Sequence, residues 1–239
     1  MCARVSVLLL ATLWVSGSNP GAGAEPAAGQ ALTMSDAELG ARLHFLESRL
    51  EAGQPTALAW EWGWSGAYAA SFVSNTIHAV GADEADDRVR AIVDAAKSGL
   101  ATAQMATLLL HPLTAGSGAA PMRDVPGDDR SARLLRLAVG ERQLLAAAAR
   151  AETRFSLRRH LVTIGANLLG GAAIATFGDG NDAVQSTLIG IAVGEAEIWS
   201  QPWRATADLR DYRAEFPASP GLTWELRPMR TGVQVAFHF

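Results

Sequence analysis

The densest run of chemically capable side chains is Gly194-Glu195-Ala196-Glu197-Ile198-Trp199-Ser200-Gln201-Pro202-Trp203. On a helix, Glu195, Trp199 and Trp203 share one face, and Glu197 and Gln201 share another. A carboxylate at the end of an apolar helix must be neutralised, hydrogen-bonded or paired. Asn75, Asp94, Arg159 and Asn167 are the partners that antiparallel packing can supply. Two chemistries follow. Glu195 or Glu197 is a buried acid of raised pKa in a small-molecule pocket, or it is a structural ion pair that fixes helix register. We expect the second. The binding set is Glu195, Glu197, Trp199, Gln201, Trp203, Asn167, Asp94 and Trp62, with no catalytic residue and no metal ligand assigned.

No stronger signature competes with this run. The chain contains no HExxH, P-loop, GxSxG or paired CxxC. Its five histidines (44, 78, 111, 160 and 238) show no ligand spacing, and His78 reads as a hydrogen-bonded core residue. Gly178-Asp179-Gly180 follows no strand and so is no phosphate loop. No cofactor is implied. Trp60, Trp62 and Trp64 suit an interfacial anchor, since indole tolerates one apolar and one wet end. Steps of two scatter them around a helix, so an extended or loop segment packed on the core is the preferred placement.

These residues must be positioned by helices. Ser35-Asp36-Ala37-Glu38 is a capping box, and Leu39, Leu43, Leu46 and Leu50 form the stripe of the helix that it opens. Gly53 and Pro55 are expected to stop that helix. Gly66–Val80 is rich in Ala, Ser and Gly, with Gly81 as its C-cap. The acidic Asp83–Asp87 suits the positive end of the next helix, which Val89, Ile92, Val93, Ala96, Leu100 and Ala103 carry to Leu110. Leu113–Asp128, full of Gly, Pro and Ser, is the best internal boundary, separating two similar halves. Helix resumes at Asp129, with Leu134, Leu135, Ala138, Leu145 and Ala149 near one face. Leu161–Gly178 is uncharged, Gly178–Asp182 is a tight turn, Ala183–Ser200 is another apolar helix, and Arg204–Tyr212 is a short one. Leu222–Leu226 and Val233–Phe239 then alternate around Pro228–Gly232 as a β-hairpin.

The first residues read as a targeting segment. Arg4, the apolar run Val5–Val15 and the small residues Ala22-Gly23-Ala24 make the three parts of a secretory signal peptide over 1–24, followed by a linker over 25–33. The run is shorter than the roughly 20 residues a span needs. Cleavage removes Cys2, the one cysteine, so the exported chain is stabilised without disulfides. Lys97 is the one lysine; that bias, with abundant Ala and Gly, points to a GC-rich bacterial genome. The 239 residues carry 20 basic and 24 acidic groups, net −4, which excludes a nucleic-acid partner needing a basic footprint. At 49% hydrophobic and 18% charged, the chain is also not one that stays disordered.

Four apolar segments (66–80, 92–110, 161–178 and 183–200) raise a membrane question. Gly190 and Gly194 form a GxxxG, and Gly165, Gly170, Gly171 and Ala175 suit close helix contact. Against spanning, Asp94, Lys97, Glu195 and Glu197 each cost about 2.5–3.5 kcal/mol at a bilayer centre. With a cleaved signal, segment 114–160 faces outward carrying nine Arg against five acidic residues, contrary to the positive-inside rule.

The stretch Arg159–Tyr212, above all Gly194 to Pro202, resembles segments of uncharacterised exported bacterial proteins, with a weaker likeness at Trp62–Gly66. The resemblance implies export and no activity. The expected molecule is mainly α: a bundle of Gly/Ala-rich helices over 34–214 with a β-hairpin over 221–239. It is a non-catalytic envelope protein, periplasmic or outer-membrane associated, whose partner is an envelope protein or lipid. The terminal Phe239, with Phe237, Val235 and Val233, partly resembles the last strand of outer-membrane barrels, which makes outer-membrane contact one role for the hairpin; covering the bundle or pairing with another edge is the preferred one. The alternatives are a multi-pass inner-membrane protein with functional buried carboxylates, and a hydrolase-like enzyme using Glu195 or Glu197.

Overall fold

The computed structural model describes residues 34–110, 113–217, 223–229 and 232–238, with side chains over 34–107 and 113–217. The expected signal segment and linker, residues 1–33, lie outside the described residues, as do the side-chain faces of the expected C-terminal hairpin. The protein is mainly α-helical. Six helices make the body: α1 (Asp36–Gly81), α2 (Ala85–Leu110), α3 (Arg130–Arg154), α4 (Leu157–Phe177), α5 (Gly180–Trp199) and α6 (Arg204–Glu215). A 3-10 turn, Thr114–Ser117, and a single helical turn, Ala120–Arg123, bridge α2 to α3.

Local chemistry explains most of the boundaries. Ser35 caps α1 by accepting from the Glu38 amide at 3.1 Å, while the Glu38 carboxylate turns to Arg42 at 2.8 Å. Asp129 caps α3 through the Ala132 amide at 3.0 Å, and Asp179 caps α5 through the Asn181 amide at 2.7 Å. Asp86 and Asp87 sit in the first turn of α2, as the acidic run predicts.

One expected boundary is wrong. Helix α1 does not stop at Gly53 and Pro55 but runs through them for 46 residues, about 70 Å at 1.5 Å per residue. An interior proline forfeits one backbone hydrogen bond and crowds the preceding turn. Anchorage on both sides offsets this: Leu50 is buried before it, and Ala57, Trp60 and Glu61 are buried after it. Gln54 adds a bond from Nε2 to the Gly116 carbonyl at 3.1 Å. The Trp60–Trp64 segment is therefore helical, and neither extended nor loop.

This long helix makes the architecture two-ended, and the sequence halves are not the spatial halves. Its first half packs with α3 and α6 around Leu39, Phe45, Leu46, Leu50, Leu137 and Leu144. Its second half pairs with α2, and the α4–α5 hairpin packs on α2. The buried face of α3 is also displaced from the expected one. Leu137, Gly140, Gln143, Leu144, Ala147, Ala148 and Ala151 are buried, whereas Leu135 and Leu145 are exposed. Glycine and glutamine on the buried stripe mask it from a hydrophobicity count.

The distal half is thin. α4 and α5 approach closely because their facing residues are small: a Cβ on Gly171 would strike Thr187, one on Gly190 would strike Asn167, and one on Gly194 would strike Thr163. Outward, the same helices are apolar. Leu161, Val162, Leu168, Leu169, Phe177, Val184, Leu188 and Ile189 are all more than half exposed. On α2, Ile92 and Leu100 face outward too, while Ala91, Ser98 and Met105 are buried.

Candidate functional site

Within the distal half, Asp94, Lys97, Arg159, Glu195 and Glu197 turn toward neighbouring helices, whereas Asp83, Glu84, Asp86, Asp87 and Arg88 around the α1–α2 connection are exposed. Five helices converge on Glu197, which is buried. Its Oε1 lies 3.2 Å from Arg159 Nη2 of α4 and 3.7 Å from Arg154 Nη2 of α3. Its Oε2 accepts from the Tyr68 hydroxyl of α1 at 2.9 Å. With its amide turned so that oxygen faces the guanidinium, Gln104 of α2 accepts from Arg159 at 2.8 and 2.9 Å. α5 itself supplies the carboxylate.

Around this node the end of α5 docks on an aromatic stripe of α1. Trp60 Nε1 donates to the Glu197 carbonyl at 3.3 Å and to Ser200 Oγ at 3.2 Å; Trp64 Nε1 donates to Ser200 Oγ at 3.0 Å. Trp60, Trp64 and Tyr68 stand four residues apart, so a continuous helix puts them on one face. That spacing was present in the sequence, hidden by the more conspicuous alternation of Trp60, Trp62 and Trp64. The Arg154 guanidinium stacks 4.5 Å over the Trp60 ring. Burial above all pushes the Arg154 pKa down to about 10, against the pull of the Glu197 carboxylate.

Glu195 lies on the neighbouring face, with Oε2 at 2.7 Å from His160 Nδ1. A tautomer carrying its proton on Nδ1 donates that bond. The other oxygen, Oε1, is buried without a hydrogen-bond partner among the described residues. His160 stacks edge-on against Phe155 at 5.2 Å, and Phe155 also meets Trp199 at 4.7 Å and Trp203 at 4.2 Å. The dyad is thus held between helices and aromatic rings. A general base also needs room for a reacting group within hydrogen-bond reach, and neither carboxylate lines the cavity at the helix junction.

The expected site set is therefore divided. Glu195, Glu197, Trp199, Gln201 and Trp203 meet at the base of the α4–α5 hairpin, joined by Tyr68, Arg154, Arg159 and His160. Gln201 is buried and donates to the Ala151 carbonyl at 3.3 Å. Asp94 belongs to a second cluster toward the other end of the distal half: it pairs with Lys97 at 2.8 Å and accepts from Ser186 Oγ at 2.6 Å, and Arg90 binds Asp182 at 2.7 Å. Asn167 bonds the Thr163 carbonyl at 2.9 Å and packs on Gly190, away from both glutamates. Trp62 is exposed and joins neither cluster. Of the partners expected for the glutamates, Arg159 reaches Glu197; Asp94 and Asn167 are committed elsewhere. His160 and Arg154 had no signal in local spacing, and the one for Tyr68 lay in its four-residue step from Trp64.

Among the described residues, no group of three His, Cys, Asp or Glu is placed to hold a metal ion. The arrangement holds five helices in register and neutralises buried charge. No family model, curated protein or solved structure matches the chain.

Proposed function

We propose that this is an exported, non-catalytic protein of a bacterial cell envelope whose α4–α5 hairpin rests in lipid, while α3, α6 and the first half of α1 form a water-exposed bundle. One observation carries the reading: α4 and α5 are apolar outside, while the α5 carboxylates Asp182, Glu195 and Glu197 turn to partners on neighbouring helices. Helix α4 is long and apolar enough by composition to cross a membrane, yet 11% of its most apolar 18-residue stretch is buried. A core helix of such composition in water hides that surface. Here Leu161, Leu168, Leu169, Leu188 and Ile189 face out, and Glu195, Glu197, Asp94 and Lys97 face in.

The base of the hairpin fits the same reading. Trp199 and Trp203 cluster on Phe155, three residues before the exposed Arg158, and indole with guanidinium suits a headgroup boundary. The apolar run Val5–Val15 supports export. The C-terminal hairpin over 221–239 belongs to the proposal as a second envelope contact, on the strength of the alternating Val233, Val235, Phe237 and Phe239 in the sequence.

Flotation of the full chain with phospholipid vesicles tests the reading. Co-flotation, abolished by Leu168→Glu with Leu169→Glu at unchanged helicity, is the expected result. Alkaline carbonate then separates a hairpin lying at the surface, which is released, from one that spans, which is retained. A chain that stays wholly with the aqueous fraction, monomeric and unaffected by either substitution, overturns the proposal.

A further inference from the structure

A second feature lies at the joint between the two halves of the molecule. A cavity of about 50 Å³ opens between α1, α3, α6 and the turn that follows α2. Its walls are largely apolar, with Leu50, Trp60, Leu113 and Leu144 among the lining residues. Four arginines are also among the lining residues, Arg49, Arg150, Arg154 and Arg204, with one acidic residue, Asp208. Asp208 is already committed: Arg49 holds one of its oxygens at 3.3 Å and Arg204 the other at 3.1 Å.

Arg154 differs from these two. Its guanidinium is largely buried and stacked on Trp60, and its nearest carboxylate, on Glu197, lies at 3.7 Å, beyond hydrogen-bond length. That carboxylate already accepts from Arg159 and Tyr68. A guanidinium has five donors in a planar fork and no acceptor. Buried donors of this kind call for an anion, and the fork matches a carboxylate through two parallel bonds.

From this loosely paired, buried guanidinium at the wall of an apolar cavity, we propose that the cavity is a binding site for a short-chain carboxylic acid, with Arg154 gripping the carboxylate. The volume sets the size. At roughly 10–15 Å³ per water, the space holds about three to five waters, so the part of the ligand inside it has about three to five non-hydrogen atoms. The apolar walls favour an acid with a hydrocarbon tail over phosphate or sulfate, whose every oxygen needs a donor. The site is independent of the lipid reading, because none of its lining residues belongs to the outward face of α4 or α5.

Calorimetric titration of the full chain with acetate, propionate, butyrate and hexanoate at constant ionic strength tests it, with butanol and inorganic phosphate as controls. Propionate and butyrate are expected to bind saturably and raise Tm, with hexanoate weaker and the two controls inert. Arg154→Gln is expected to weaken butyrate about tenfold or more, as loss of a charge-assisted pair requires. Arg154→Lys falls between. Should Arg154→Gln not fold, Ala147→Leu takes its place: it fills the cavity without touching a charge and is expected to abolish binding. Absence of saturable binding by any of the four acids overturns the proposal, and so does phosphate binding as tightly as butyrate. Butyrate affinity unchanged in Arg154→Gln or in Ala147→Leu overturns it too.

Discussion

Replacing Glu197 by Gln removes one charge and almost no volume, so it isolates the electrostatic part of the five-helix node. In the native protein the carboxylate lies 3.2 Å from Arg159 and 3.7 Å from Arg154. At an effective dielectric of about 20, each attraction is about 5 kcal/mol. Most of that offsets the desolvation of three buried charges, so the net effect is set by what is left behind. Gln keeps an acceptor for the Tyr68 hydroxyl or Arg159 but leaves two largely buried guanidiniums without the carboxylate they share. Breaking a buried pair by neutralising one partner costs about 3–5 kcal/mol. The retained hydrogen bond puts the expectation near the lower end, about 3 kcal/mol. For a chain of this size that lowers Tm by about 6–12 °C.

Urea unfolding followed by far-ultraviolet circular dichroism, in the lipid or detergent that keeps the chain monodisperse, measures the change. A cycle with Arg159→Gln should give a coupling of about 1–3 kcal/mol, since the two side chains share one bond. Glu195→Gln is the internal control. Its partner is an imidazole that need not be charged, and it is less buried, so about 1 kcal/mol is expected. A Glu197→Gln loss below about 1 kcal/mol, or equal losses at the two positions, would refute the idea that this node locks helix register.

Three further outcomes follow from the packing. Gly194→Leu drives a side chain into Thr163 and should cost about 1–3 kcal/mol by unfolding, with the amides of α4 and α5 the first to lose hydrogen-exchange protection; unchanged protection there would contradict the close approach. Glu61 is 2% exposed, and its Oε2 has no hydrogen-bond partner among the described residues, so Glu61→Gln should raise stability by about 1 kcal/mol. A loss of that size instead would mean that the carboxylate is needed where it stands, facing the Arg154 charge. Burial first, and then the Glu141 carboxylate, hold the Tyr212 phenol above its ordinary value. The folded state therefore favours the neutral phenol: its contribution is fully present below about pH 10 and is lost as pH rises above it. The wild type should lose stability more steeply than Tyr212→Phe between about pH 10 and 11.5, and parallel curves would show the shift to be absent.

Much of the fold was legible because it rests on local chemistry. Ser35, Asp129 and Asp179 are capping residues whose oxygens meet amides two or three positions on, so helix starts can be read from short windows. Pro55 misled for the opposite reason. Its local cost is real, but helix α1 is held by Leu50 on one side and by Ala57 and Trp60 on the other, through contacts with distant residues. The α3 stripe was misplaced because Gly140 and Gln143 lie on it. Gly140 faces Met122 and Leu46, and Gln143 bonds Ser117 Oγ at 3.0 Å, so shape and hydrogen bonding outweighed hydrophobicity at those positions.

For the candidate site, the Gly194–Trp203 run was visible as a concentration of carboxylates and indoles, and helical spacing assigned Glu195 and Glu197 to different faces. Spacing could not say what each face meets. Tyr68 reaches Glu197 across 129 positions and Arg159 across 38. Asp94 and Glu197 look alike in sequence, both acids in apolar helices, yet they lie in separate clusters with separate partners.

The sequence by itself determined where helices begin, which segments are uncharged and small enough to pack closely, and which side chains would need neutralising if buried. Those properties depend on residues within a turn or two of one another. Only the tertiary structure decided that α1 is continuous, that Glu195, Glu197, Asp94 and Lys97 face inward while Leu161, Leu168, Leu169, Leu188 and Ile189 face out, and that Arg154 stands at a cavity, beyond hydrogen-bond reach of its nearest carboxylate. Burial and pairing are properties of the neighbours a helix acquires, and the long-range packing that selects those neighbours is not contained in any local window.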